Sequence, residues 1–462
     1  MTDGLKRALR LIDLFSLAFG AIIGWGVFTL TADWFEMSGP WGTFIAAYVA
    51  MLMILPVAMA YAELIPCIPE SGGEYKWAYA AFGKLHGAMA GWWLYTGYVS
   101  IVLLNATAFP IWLRIIVPQA VEWGYLYTVG KYNVYLGYIV FSVLILTAFF
   151  FINYRGIRLT GTAQTLMSLL LVLGGFSYIA MCMARGDVGN TLTPSPWSLK
   201  SGPLESIVAW LAIAPWAYVG FDTVPQAIEE TKESPRRAFL VMTSALLVGA
   251  TFYAFITLAT AFVKPWSNFL GTWLATASAA MEVGGGVGVG IVLMAALMGI
   301  LTGINGFMYA SSRLLFAMSR DEVMPRSLSE IHERHGTPHK AITLTYALAL
   351  IGPLFGRDAL LWFVNVASFG TAFAYLHAGL SLCKLREKVA TINRKSELYM
   401  VVVGSTSIIV SLTFIALLIY QLWIMYSYGP LIAITAYTLI GLALYKKRSL
   451  RESAKRVSKA LT

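Results

Sequence analysis

The chain alternates long apolar stretches with short polar connections from one end to the other. Runs near or above the roughly 20 residues that cross a bilayer as a helix lie at 11–37, 41–65, 87–117, 134–153, 162–184 and 204–228. Six more follow at 238–263, 288–318, 341–355, 359–383, 398–422 and 425–445. The pattern predicts about twelve spans in a single transmembrane domain over 1–462, with no linker dividing it. Two stretches are interrupted, the first at Gly24-Trp25-Gly26 and the sixth at Tyr218-Val219-Gly220-Phe221-Asp222. An unpaired backbone N–H or C=O is costly in hydrocarbon, so a broken span persists only where it lines a protected polar cavity. Breaks at corresponding places in two halves point to the substrate site of a carrier.

Composition agrees with a membrane setting: mean hydropathy is +0.70 and only 12% of residues are charged. The formal charge of +10 raises nucleic acid or an acidic partner as alternatives, and the placement of the basic residues decides against both. Lys6, Arg7, Arg10, Lys76, Lys84, Arg155, Arg158, Lys232, Arg236 and Arg237 fall on one side of the predicted spans. The clusters Arg313 to Lys340 and Lys384 to Lys395, and the tail from Lys446 to Lys459, fall on the same side. Arg114, Lys131, Arg185, Lys200, Lys264 and Arg357 fall on the other. The positive-inside rule then puts both termini in the cytoplasm and needs no nucleic acid. The first apolar run is too long for a signal peptide and lacks a small-residue cleavage site, so it reads as a retained helix. Cys67, Cys182 and Cys383 have neither zinc spacing nor a disulfide framework.

Several motifs together resemble the amino acid-polyamine-organocation (APC) superfamily of secondary transporters. Gly20-Ala21-Ile22-Ile23-Gly24-Trp25-Gly26-Val27-Phe28 is similar to its first-helix motif. Ala62-Glu63-Leu64 followed by Pro69-Glu70-Ser71-Gly72-Gly73-Glu74-Tyr75 resembles the exit of its second helix. Asn153-Tyr154-Arg155-Gly156, Gly220-Phe221-Asp222 with Glu229 to Arg237, and Ser312-Arg313 through Pro325 extend the likeness over nearly the whole chain. The resemblance implies an all-α integral membrane protein of LeuT-type fold. Its 5+5 inverted repeats would cover roughly 11–185 and 204–388, with two additional helices at 398–446 and a basic cytoplasmic tail at 447–462.

The breaks suggest their own chemistry. Gly24 and Gly26 leave N–H groups at the start of a half-helix, an end that attracts anions. A substrate carboxylate fits the N–H groups of Gly24, Trp25 and Gly26, and its ammonium fits carbonyls near Ile22, Ile23, Pro215 and Tyr218. The competing reading is that these glycines only permit close helix packing. Trp25 stands where the family commonly has a small residue; it either narrows the site or packs away from it, against lipid or a neighbouring helix. The resemblance places Trp216 at a substrate-stacking gate and Phe307 at an aromatic of the eighth helix. Such faces suit an apolar or a cationic side chain. Asp222 is costly at this depth unless it pairs, titrates or faces water; it reads as a site and coupling residue that changes protonation during the cycle or balances a cationic substrate, or as the cap of the following half-helix. Gly220 and Phe221 belong to the same break, and Asn105, Asn365 and Ser368 are polar candidates facing the bundle. Glu229, Glu230 and Lys232 read as a solvated helix end.

No cofactor is implied; a proton or a sodium ion is the candidate coupling partner. Leu171 occupies the place of a lysine that serves proton coupling in some members, while Thr302 falls roughly where sodium-coupled relatives supply a hydroxyl. The glycine-rich 284–290 lacks the ending of a phosphate loop. His332, His335 and His339 sit in a polar connection without fixed metal-binding geometry, and no metal site is read. No nucleophile and base pair marks an enzyme. The expected activity is secondary active transport of amino acids by alternating access in the cell membrane, cation-coupled or by exchange. The alternatives are a polyamine or organic-amine exchanger and a non-transporting amino-acid sensor. The partners are therefore an amino acid or amine and the lipid bilayer. A disulfide-linked heavy chain is not expected, because the connection between the third and fourth spans has no cysteine.

Overall fold

A computed structural model describes residues 5–129, 132–356, 359–424 and 428–461. Lys131, Arg357 and the first residues of the expected twelfth span lie outside the described residues. Among the described residues, nine helices are long and apolar enough to cross a membrane. The sixth apolar stretch is divided into Pro203–Leu211, Ala214–Tyr218 and Thr223–Gln226. Two shorter apolar helices lie at His339–Phe355 and Gly429–Ala443. With these the twelve expected spans are in place, and the chain is a helical multi-pass membrane protein. A two-stranded antiparallel hairpin, Tyr125–Val129 with Tyr132–Tyr135, and the connecting helices Glu74–Phe82 and Arg386–Asn393 add to the expected elements.

Local backbone chemistry sets the span boundaries. The first span comprises Leu11–Ile22 and Gly26–Thr29. The helix Thr31–Leu64 turns at Gly39, whose φ of +69° suits glycine, and Pro40 restarts it. The residues before Gly39 therefore prolong the first span, and the second begins at Pro40, within a residue of expectation. Ala275–Arg320 turns likewise at Gly285, φ +55°, so a short helix precedes the eighth span.

Small residues let these helices approach closely. A Cβ on Gly20 would lie 2.6 Å from the Ser168 hydroxyl of the fifth span (Ile157–Arg185), and one on Gly303 would lie 2.6 Å from the Asn105 amide of the third (Lys84–Ile116). Buried amides then lock the contacts. Asn153 donates to Asn305 at 2.9 Å, Asn305 donates to Gln164 at 2.8 Å, and Gln164 donates to the carbonyls of Ser16 and Thr302. The first span is thereby tied to the fifth and the eighth.

Glu230 corrects the expectation of a solvated helix end. It is fully buried, as is Arg313, and the guanidinium contacts both carboxylate oxygens at 2.8 and 3.0 Å. Tyr309 donates to the same carboxylate at 2.6 Å, and its ring lies 4.1 Å from the guanidinium carbon. A bidentate, charge-assisted pair of this kind offsets the desolvation that isolated charges would suffer. The Glu230 carbonyl accepts the N–H groups of Ala8 and Leu9, and Leu9 forms a parallel bridge with Thr231, so the chain entering the first span is stitched to the end of the sixth. Glu229 and Lys232 lie nearer the surface, where Arg320 reaches Glu229 at 2.7 Å and Glu70 at 3.2 Å. Lys76 bridges Glu70 and Asp321 at 2.7 and 2.8 Å and holds the Glu70 carboxyl below the usual carboxylate range.

Replacing Arg313 by Ala should destabilise the protein by about 3–5 kcal/mol, because Glu230 would stay buried without its partner. Thermal unfolding of the purified protein in detergent measures this. The double variant Arg313→Met with Glu230→Leu should recover most of the loss, and a double variant no more stable than the single one would contradict the account.

Candidate functional site

The two breaks meet backbone to backbone. Gly220 has φ +137°, and a Cβ there would lie 2.5 Å from the Ile22 nitrogen and 2.7 Å from the Ala21 carbonyl carbon. Only glycine permits both the dihedral and the approach. Gly299 of the eighth span fits equally closely against Gly24, since its Cβ would lie 2.7 Å from the Gly24 carbonyl carbon. On its open side Gly24 differs: a Cβ there would meet no heavy atom within 4 Å, and the residue retains exposure while Ile23, Trp25 and Gly26 are buried. The N-terminal end of the second half-helix therefore borders free space. Trp216 covers Gly26, with a ring carbon 3.0 Å from the position of a Cβ there.

The remaining candidates divide between those that reach this space and those already engaged. Trp25 is 8% exposed and packs in the apolar cluster that contains Tyr98, Phe307, Ile300 and Val219, so it faces the bundle and not the lipid. Phe307 is buried against Tyr98, with ring centroids 5.6 Å apart. Phe221 packs on Tyr61 and Tyr375. The Tyr218 hydroxyl donates to the Ala47 carbonyl of the second span at 2.6 Å, which leaves only its backbone for a ligand. Asn105 donates to Ile101, and its carbonyl oxygen is buried without a partner. Thr302 directs its hydroxyl proton to the carbonyls of Met298 and Gly299. Ser368 is a buried hydroxyl without a partner, and Leu171 lies in the core. Among the expected carbonyls, Ile22 accepts from Tyr253 and Pro215 accepts from the Val219 N–H; each retains a second lone pair.

Asp222 does not cap the half-helix Thr223–Gln226 with its side chain. Its Oδ1 reaches back to the Gly220 N–H at 2.7 Å, and Oδ2 is buried with no hydrogen-bond partner. The carboxylate thus fixes the break and keeps one free oxygen. The three histidines cluster with Tyr154 by ring contact, and no metal-ligand group of three is found among the described residues.

The sequence profile of the family described as amino acid permease matches residues 9–443. The chain belongs to the amino acid permease family. It is 30% identical over 392 residues to the branched-chain amino acid permease BcaP of Bacillus subtilis (strain 168), covering 83% of this chain and 82% of that one. The methylthioribose transporter of the same organism is 28% identical over 397 residues, with 84% and 83% covered. BcaP of Lactococcus lactis subsp. cremoris (strain MG1363) is 25% identical over 389 residues, with 83% of each covered. The family is one of transporters within the APC superfamily, and the helical bundle is of its LeuT type.

Two residues of the permease's site escape sequence reasoning. The Tyr253 hydroxyl, from the seventh span Ala238–Val263, lies 2.7 Å from the carbonyls of both Ile22 and Ala217 and so ties one break to the other. Tyr98 donates to the Asp222 carbonyl at 3.1 Å. Both are aromatic residues in apolar helices, and nothing local distinguishes them from core.

In the permease, Gly220→Ala should cost about 1–3 kcal/mol from its dihedral alone, with the clash against Ile22 added. A lower melting temperature together with lost ligand binding is the expected result. Tyr253→Phe should cost about 1–3 kcal/mol by removing the donor that both break carbonyls share, again read by thermal unfolding.

Proposed function

We propose that this permease is a secondary carrier that moves an α-amino acid with an apolar side chain by alternating access, in the cell membrane and with both termini cytoplasmic. The observation that carries the reading is the free space at Gly24. There a half-helix N-terminus, suited to a carboxylate, adjoins carbonyls of a broken span, suited to an ammonium. Trp216 covers the neighbouring Gly26 and belongs with Trp25 and Phe307 to one apolar cluster, and in this reading Trp216 stacks over the substrate. The branched-chain permeases among the relatives support an apolar side chain. The repeats 11–185 and 204–388 supply one break each, and the first, second, sixth and seventh spans rock against the remainder. A cation gradient or exchange drives the movement; Thr302 is the candidate ligand should sodium be the ion. The free Oδ2 of Asp222 favours a second reading, in which the substrate is an organic amine whose extra positive charge that oxygen receives.

Purified protein in liposomes, offered labelled amino acids and amines with and without pH and sodium gradients, tests the proposal. Uptake of valine, leucine or isoleucine is expected, and Trp216→Ala should raise the half-saturating concentration at least about tenfold, the loss of one aromatic stacking contact. Uptake of amines alone would select the second reading. Binding without accumulation or exchange would leave a sensor.

A further inference from the structure

We infer that a cavity at one end of the bundle, where the second span ends and the seventh and eleventh begin, seats the headgroup of an anionic phospholipid, its phosphodiester held by Arg236 and Lys395. The cavity encloses about 280 Å³ and is lined from three directions. Met59 and Glu63 come from the end of the second span, Arg236 and Phe239 from the start of the seventh, and Lys395 and Tyr399 from the segment that leads into the eleventh, Glu397–Ile424. None of the lining residues belongs to either break, so the cavity is separate from the substrate site.

Glu63 holds the walls of the cavity together. It is buried, and its carboxylate accepts Lys395 at 2.6 Å and the Asn393 amide at 2.8 Å; Asn393 also donates to the Glu63 carbonyl at 2.9 Å. The Ala62-Glu63-Leu64 motif thereby fixes the end of the connecting helix Arg386–Asn393 onto the second span. Lys395 stays half exposed while paired and spends one of its three N–H donors on Glu63, and its Nζ lies 4.8 Å from the centre of the Tyr399 ring.

The charges at the cavity do not cancel. Arg236 and Lys395 are two cations against the one carboxylate of Glu63, which leaves one positive charge over. Among the described residues Arg236 has no ion pair and no side-chain hydrogen bond, whereas its neighbour Arg237 is bound to Glu233 at 2.6 Å. A phosphodiester carries one negative charge on acceptor oxygens, which matches a free guanidinium and the spare donors of an ammonium.

The setting selects a lipid over a soluble anion. The cavity lies at the ends of three spans, on the side of the bundle where the basic clusters gather, and basic pockets so placed between transmembrane helices receive lipid headgroups. Met59, Phe239 and Tyr399 give an acyl chain apolar surface beside the phosphate, and Leu240 and Val402 on the seventh and eleventh spans are exposed apolar side chains, as lipid-facing positions are. The tail of the chain itself does not suit the cavity, because its basic residues from Lys446 to Lys459 carry the same sign of charge. A seated lipid bridges the seventh span to the second and the eleventh and so stabilises the arrangement in which they meet.

Thermal unfolding of the purified protein in a neutral detergent, titrated with dioleoylphosphatidylglycerol or with dioleoylphosphatidylcholine, tests the site. The anionic lipid should raise the melting temperature saturably and the zwitterionic one should not; an equal rise with both would overturn the proposal. Arg236→Gln should raise the half-saturating lipid concentration about fivefold, the loss of one basic contact to an anionic headgroup. Arg334→Gln, on the same side of the bundle but outside the cavity, should titrate as the wild type does. An unchanged titration in Arg236→Gln, or an equal loss in Arg334→Gln, would also overturn it. Glycerophosphoglycerol, the headgroup without its acyl chains, should give no rise over the same range, and a rise equal to that of the lipid would assign the cavity to a soluble phosphodiester instead. Arg236 is exposed, so Arg236→Gln without lipid should melt within a few degrees of wild type. Where it does not, Phe239→Asp carries the test: a like charge beside the phosphate should abolish the rise, and a rise kept in that variant would sink the proposal.

Discussion

The close approach of Gly220 to the Ala21–Ile22 peptide is the contact on which the rest of the site depends. A helix broken in hydrocarbon must find partners for its freed backbone groups, and here Asp222 supplies one for the Gly220 N–H while Tyr253 supplies one for the carbonyls of Ile22 and Ala217. The dihedral of Gly220 brings the sixth span in, and Tyr253 fastens a carbonyl from each side. Asp222 then folds back on the Gly220 N–H, and Trp216 comes to rest over Gly26. A Cβ at position 220 would hold the spans apart and would leave polar backbone facing apolar side chains.

The buried charges fall into two kinds with different physical consequences. Glu230 is paired with Arg313 and accepts from Tyr309, and so ties the sixth span to the eighth. Glu74 accepts from the Tyr61 hydroxyl and Asp222 from the Gly220 N–H, and among the described residues neither is in an ion pair. The first arrangement holds a conformation. The second leaves one oxygen of each carboxylate buried without a hydrogen-bond partner. Both lie on segments that border the sixth-span break, so a paired and an unpaired set of acidic groups flank the same stretch of chain.

Much of the architecture was legible because the bilayer imposes it. Apolar run lengths located the spans to within a few residues, and Gly39-Pro40 marked the junction of the first two through local backbone chemistry alone. The breaks were legible for the same reason, since glycine within an apolar run is a local signal. Pairings distant in sequence were not. Glu230 and Arg313 are separated by 83 residues, and each alone reads as an exposed charge near a helix end. Tyr253 reads as core until the fold places it between two carbonyls. The hairpin at Tyr125–Tyr135 was missed because its aromatic strands look like the fringes of neighbouring spans. Asp222 stood out as an ionisable residue at depth, whereas Glu74 sat within a recognised motif whose polar company concealed its burial.

The parallel bridge between Leu9 and Thr231 makes the two broken spans one mechanical body at this end of the bundle. Their roots are cross-linked by backbone hydrogen bonds, so neither tilts far without dragging the other, and the pair behaves as a lever with a common grip. Force applied to the segment before Leu11 is therefore delivered to the sixth span as directly as to the first. The short stretch at Ala8 and Leu9 thus belongs mechanically to both broken spans.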